Sequence, residues 1–211
     1  MTTARRRFTR EEPEARRADL IAAVLELLAE AGPAATTVRA IAEAAGLSPG
    51  MIRHHFSSKE DLVNAAYREH MSRQMQEAER SLGPGTARER LRRFVAGSLT
   101  PPVVDARGVS LWAAFLHMVR RDPAMRATHE ATYLAYRDRL QALITAAFCE
   151  TGRVAEPTEL RRLAIACNAV IDGLWLEGGL LAETFAAGEI EAIGLASVGA
   201  LLSLDLAKEP A

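Results

Sequence analysis

A chain of 211 residues has room for one large domain, or for a small one joined to a larger one, and either can bury a core. Lysine and arginine number 26 against 27 aspartates and glutamates, and 49% of residues are hydrophobic, a globular balance that excludes a disordered tail, a collagen or a supercharged binder. The longest uncharged stretch, Ala192 to Leu204, is 13 residues, short of the roughly 18 a membrane span needs, so no transmembrane helix is expected.

Arg5, Arg6 and Arg7 imitate the start of a signal peptide, but the apolar segment after them is interrupted by Glu26 and follows helical spacing. The expectation is a cytoplasmic protein. Cys149 and Cys167 form no C-x-x-C, which predicts two buried thiols and neither a disulfide framework nor a zinc site. The acidic excess gathers in residues 150–211, with 4 basic against 10 acidic groups. From Ala34 to Lys59, by contrast, Arg39, Arg53 and Lys59 face only Glu43, with His54 and His55 beside them. That is a local basic face on a chain of net charge −1.

The periodicity is helical nearly throughout. Leu20, Ile21, Val24, Leu27, Leu28 and Ala31 form one apolar stripe on a helix from about Pro13 to Ala31, which Gly32-Pro33 ends. A short helix capped by Thr36 or Thr37 follows, burying Val38, Ile41, Ala42 and Ala45 until Gly46. Ser48, able to accept a first-turn N–H bond, and Pro49 open a third helix to about Phe56. Ser58 and Asp61 read as a capping box for a fourth helix, to about Arg80. Gly83-Pro84-Gly85 then predicts a domain junction, giving residues 1–80 and 81–211. Beyond it come a helix with a second capping pair, Thr86 and Glu89, one over Val109–Arg121, a long one from Pro123, and two more over Pro157–Ala182 and Glu189–Leu206. An all-α fold of about nine helices results.

The segment Val38–Ala45, the turn at Gly46 and the short helix bearing Ser48, Arg53 and His54 have the layout of a helix-turn-helix, whose second helix enters the DNA major groove. Thr36, Thr37, Arg39, Ser48, Pro49, Gly50, Arg53, His54, His55 and Lys59 are the polar or close-approach positions for that task. The run Thr37-Val38-Arg39-Ala40-Ile41-Ala42-Glu43-Ala44-Ala45-Gly46-Leu47-Ser48-Pro49-Gly50, then Phe56 and Lys59-Glu60-Asp61-Leu62, closely resembles the DNA-binding domain of the TetR family of bacterial transcriptional repressors. Many members carry a tyrosine that touches phosphate where this chain has Arg53. An arginine can hold phosphate or read guanine, so that position either places the helix or specifies bases.

In the second half, Ser110-Leu111-Trp112-Ala113-Ala114-Phe115, Asp122-Pro123-Ala124-Met125 and Ala169-Val170-Ile171-Asp172-Gly173-Leu174-Trp175-Leu176 resemble the C-terminal domain of BetI-type regulators, the choline-responsive branch. Read by chemistry alone, Trp112, Phe115, Tyr133, Tyr136 and Trp175 with the carboxylates Asp172 and Glu177 suit a pocket for an organic cation, although aromatics at helical spacing more often make plain core. Leu163, Cys167, Val170 and Leu174, with Ile193, Val198 and Leu201, form wide apolar faces on the last two long helices and are the expected homodimer interface.

No Glu-x-x-His pair, zincin motif, Walker loop or catalytic triad is present, so neither an enzyme, nor a metal site, nor a cofactor is expected. The competing readings are a helical enzyme and a protein-binding adaptor. The expected function is a dimeric repressor that binds an inverted-repeat operator and is released by a small-molecule effector.

Overall fold

The computed structural model describes residues 11–207, and those residues contain nine α-helices and no strand. They are α1 (Glu11–Ala35), α2 (Val38–Ala44), α3 (Pro49–His55), α4 (Lys59–Arg80), α5 (Ala87–Ser98), α6 (Ala106–Val119), α7 (Pro123–Glu150), α8 (Pro157–Leu180) and α9 (Glu189–Leu202), with a 3₁₀ turn at Ala182–Thr184. The basic run Arg5–Arg7 lies outside the described residues.

The chain packs as two compact units that divide within α4, between Glu69 and His70. The sequence places the junction near the Gly-Pro-Gly turn instead. The difference arises because the second half of α4 is held by the later helices. Ala78 and Leu82 join a core with Leu91, Phe94 and Leu140, the Ser81 hydroxyl donates to the Arg93 carbonyl at 2.9 Å, and Arg139 grips the Glu79 carboxylate with two nitrogens. Glycine and proline punctuate a chain locally, whereas a domain edge is set by which side chains share a core.

In the first unit α1 buries Leu20, Ile21, Val24 and Leu28 as its spacing requires, but Leu25 is buried and Ala31 is exposed. Gly32, at φ 74°, breaks the helix there. Between α2 and α3 the chain turns at Gly46, φ 63°, with Gly46 N–H bonding Glu43 O and Leu47 N–H bonding Ala42 O, the paired bonds of a Schellman stop. Val38, expected in the core, is 38% exposed. Ser58 caps α4 by accepting from Asp61 N–H at 3.0 Å. The Asp61 carboxylate reaches one residue further back than a capping box predicts, to Ser57 N–H and its hydroxyl.

The second unit is a helical bundle in which α7 and α8 pack against each other, α5 lies on α7 and α9, and α6 crosses α7 and α8. The Thr86–Glu89 capping box is formed. By length and composition α8 could cross a membrane, because it tolerates isolated charges that the uncharged-run criterion does not. In the bundle its Ala164, Cys167, Asn168 and Ile171 point into the core instead. Cys167 is buried as expected; Cys149 is exposed.

Gly179 lets α8 approach α6. A Cβ there would overlap Val109 Cγ2 and sit 2.9 Å from the Asp105 carbonyl oxygen, which is backbone and has little freedom to retreat. Gly179→Ala is therefore expected to lower stability by roughly 1–3 kcal/mol, measured as a shift of the urea midpoint at unchanged slope.

His70, on the α4 segment of this unit, is buried against Phe115 at 6.2 Å between ring centroids, and its Nε2 has no hydrogen-bond partner. Burial drives its pKa down to about 4; the nearby Asp105 opposes this and Arg73 and Arg107 reinforce it. The unfolded histidine takes its proton near pH 6.5 and the folded one only near 4, so protons favour the unfolded chain through that window. Stability should fall by roughly 2–3 kcal/mol on acidification from pH 6.5 to 4, and His70→Leu should flatten that part of a denaturation-versus-pH curve.

Candidate functional site

The first unit presents the predicted recognition helix to solvent. Arg53 and His54 lie exposed on the last turn of α3, and Ser48, Pro49 and Gly50 are exposed at its start. Ser48 makes no capping bond, contrary to expectation, so its hydroxyl is left for another partner. Thr37 caps α2, accepting from Ala40 N–H at 3.2 Å, and Arg39 is exposed one turn on. Lys59 is the first residue of α4 and half-buried.

Two residues sit differently from the sequence reading. Thr36 is 1% exposed, and its hydroxyl donates to the Gly32 carbonyl at 2.9 Å, so its side chain secures the end of α1 rather than pointing to solvent. His55 turns half inward, its Nε2 buried without a partner, and its pKa is lowered by burial first and then by the positive charges of His54, Arg16 and Arg17. Behind α3, the Arg17 guanidinium lies 4.7 Å from the centre of the Phe56 ring, bracing the helix end against α1.

The second unit contains a cavity of about 510 Å³ walled by α4, α5, α6, α7 and α8 and by Val103. Five of the seven predicted effector residues line it: Trp112, Tyr133, Tyr136, Asp172 and Trp175. Phe115 does not, being fully buried in the core, and Glu177 does not either, since it is exposed beside the two buried glycines of α8. Unanticipated in the wall are Met71, Gln74 and Met75 of α4 and His129 and Thr132 of α7. The positions 71, 74 and 75 recur at helical spacing, a signal masked by assigning all of α4 to the DNA-binding half.

Trp112 and Trp175 meet edge to face at 5.8 Å, and the Trp175 indole N–H is already committed to the Val103 carbonyl at 2.8 Å. That leaves the Trp175 ring, not its polar edge, for a ligand. Opposite chemistry comes from Asp172, whose Oδ2 accepts from the Tyr133 hydroxyl at 2.5 Å and from Asn168 Nδ2 at 2.8 Å. Burial raises the Asp172 carboxyl above the usual range, with Tyr133, Asn168 and His129 pulling it back. Burial, aided by the bond to Asp172, pushes the Tyr133 phenol up to about 12, and burial lowers His129, which stacks on Tyr133 at 5.4 Å. Asp172 is the one carboxylate in the wall, and no lysine or arginine lines it. An organic cation would meet a carboxylate and several π faces together there.

The expected dimer residues divide. Cys167 and Val198 are fully buried inside the unit, because α8 and α9 turn those positions toward each other and the α5–α7 core. Leu163, Val170 and Leu174 are half-buried, while Ile193 and Leu201 are 39% and 41% exposed.

An all-helical arrangement of the described residues, with an exposed helix-turn-helix in one unit and a ligand-sized cavity in the other, has the make-up of a ligand-responsive DNA-binding regulator. Two family models match it: "Bacterial regulatory proteins, tetR family" over residues 20–66 and "BetI-type transcriptional repressor, C-terminal" over residues 87–203. The HTH-type transcriptional regulator BetI of Burkholderia thailandensis is 32% identical over 175 residues, covering 82% of this chain and 86% of the relative; that of Burkholderia lata is 34% identical over 170 residues, covering 79% and 84%. Among solved structures, a transcriptional regulator from Pseudomonas aeruginosa PAO1 is 34% identical with a TM-score of 0.83, covering 94% of this chain and 95% of that one. A regulator from Saccharomonospora viridis in complex with choline shares the fold at 22% identity and a TM-score of 0.69, covering 90% and 96%. The chain belongs to the TetR family of bacterial transcriptional regulators, with a C-terminal half of the BetI type. It is a regulator with DNA-binding and ligand-binding domains and not an enzyme.

Proposed function

We propose that the protein is a homodimeric repressor, acting in the cytoplasm without membrane attachment, that binds an inverted-repeat operator and is released by an organic cation. The observation that carries the effector reading is the cavity in which Asp172 is the sole carboxylate among Trp112, Tyr133 and Trp175. Arg53 and His54 then read base edges, Thr37, Arg39, Ser48, Gly50 and Lys59 hold the phosphate backbone, and His55 supports the helix from behind.

For the dimer, the outward faces of α8 and α9 supply the contact: Leu163, Val170, Leu174, Ile193 and Leu201, interspersed with small residues such as Gly173 and Ala200. Met71, Gln74 and Met75 wall the cavity on the helix that begins, at Lys59, just after the recognition helix. A cation that favours one placement of α4 thereby shifts the equilibrium between DNA-competent and DNA-incompetent forms by its differential affinity for the two. Footprinting tests the DNA half of the proposal. Two protected half-sites about one helical turn, roughly 10 bp, apart or a multiple of that are expected; protection of a single unrepeated half-site by monomer contradicts it.

A further inference from the structure

The cavity is larger than a small ammonium ion requires, and Met71, Met75, Leu116, Ile171 and Leu176 make much of its lining apolar. Its volume, about 510 Å³, falls in the range of roughly 300–1,000 Å³ that encloses drug-sized molecules. A bare tetramethylammonium head takes the place of only a few waters, at roughly 30 Å³ each. The remaining space would hold water against Met71, Met75, Leu116, Ile171 and Leu176, side chains that offer it no hydrogen bonds.

We propose that the effector is an amphipathic cation: an alkylammonium head on Trp112, Tyr133, Trp175 and Asp172, carrying an apolar substituent of several carbons that displaces water from the Met71, Met75, Leu116, Ile171 and Leu176 wall. This rests on the cation reading above and adds the second half of the ligand. The two α4 methionines give that wall an unbranched, polarizable lining that adapts to substituents of differing shape. They also place the apolar part of the ligand directly on the helix shared with the DNA-binding unit. A substituent that reaches Met71 and Met75 touches that helix, so it strengthens release of DNA as well as binding.

Calorimetry on the full-length protein with tetramethylammonium and with butyl-, hexyl- and octyltrimethylammonium bromide tests this directly. Each buried methylene should tighten binding by about four-fold until the cavity is full, and Leu116→Trp, which takes up part of the apolar space, should flatten that slope. The wild-type series decides by itself if the variant fails to fold. Tetramethylammonium binding that Asp172→Asn removes, with octyltrimethylammonium no tighter, overturns the two-part ligand and leaves the cation reading standing. Octanol binding as tightly as octyltrimethylammonium, or no uptake of any of the four ions, overturns both.

Discussion

Replacing Arg53 and His54 together by alanine is expected to lower operator affinity by about 100-fold or more and to flatten base preference, with the thermal stability of the protein unchanged. Both side chains are exposed on the final turn of α3, so their removal opens no cavity. A well-placed arginine on a guanine edge contributes roughly 1–3 kcal/mol of discrimination, and a second base contact adds to it. Lys59→Ala makes the contrast: at the start of α4 it should weaken all sequences alike and make the salt dependence of binding less steep. Selection of sites from random DNA with each variant measures both effects. An unchanged consensus in the Arg53→Ala/His54→Ala protein would restrict α3 to backbone contacts.

Asp172→Asn combined with Trp175→Phe should weaken binding of a trimethylammonium cation by about 100-fold while leaving operator affinity intact. The carboxylate is the only formal negative charge in the cavity wall, so its loss carries most of the effect, and the indole is a stronger cation-binding face than the phenyl ring that replaces it. Phenylalanine keeps most of the packing at position 175 but loses the indole bond to Val103, so a modest fall in melting temperature is expected alongside. Calorimetry and thermal denaturation separate the two effects: binding lost at near-wild-type stability assigns both residues to the ligand, while unaltered cation affinity assigns them to the core.

The recognition half was legible because its chemistry is local. A glycine obliged to adopt positive φ, a proline at a first helical turn and exposed basic residues at fixed offsets all lie within 25 residues, and Gly46, Pro49 and Arg53 stand where spacing places them. Thr36 and Thr37 show the limit of that reading. Adjacent and chemically identical, they differ only in which side of the chain faces α1, and one is sealed to Gly32 while the other caps α2. The cavity was half legible. Aromatic residues and a carboxylate advertised it, but Phe115 could not be told from Trp112, three positions away on one helix, because burial depends on where α4 and α8 lie. Cys167 and Val198 misled for a related reason: helices with apolar residues on more than one face do not reveal which face the monomer keeps.

If one molecule couples a cation in the α4–α8 cavity to release of DNA, the coupling is read from the anisotropy of a fluorescent duplex selected by the protein from random DNA and titrated with butyltrimethylammonium. The wild-type complex should dissociate as the cavity fills, at the concentrations at which calorimetry shows binding, and the Asp172→Asn/Trp175→Phe complex should persist. Saturating cation that leaves the wild-type complex intact, or that dissociates both proteins equally, would contradict it.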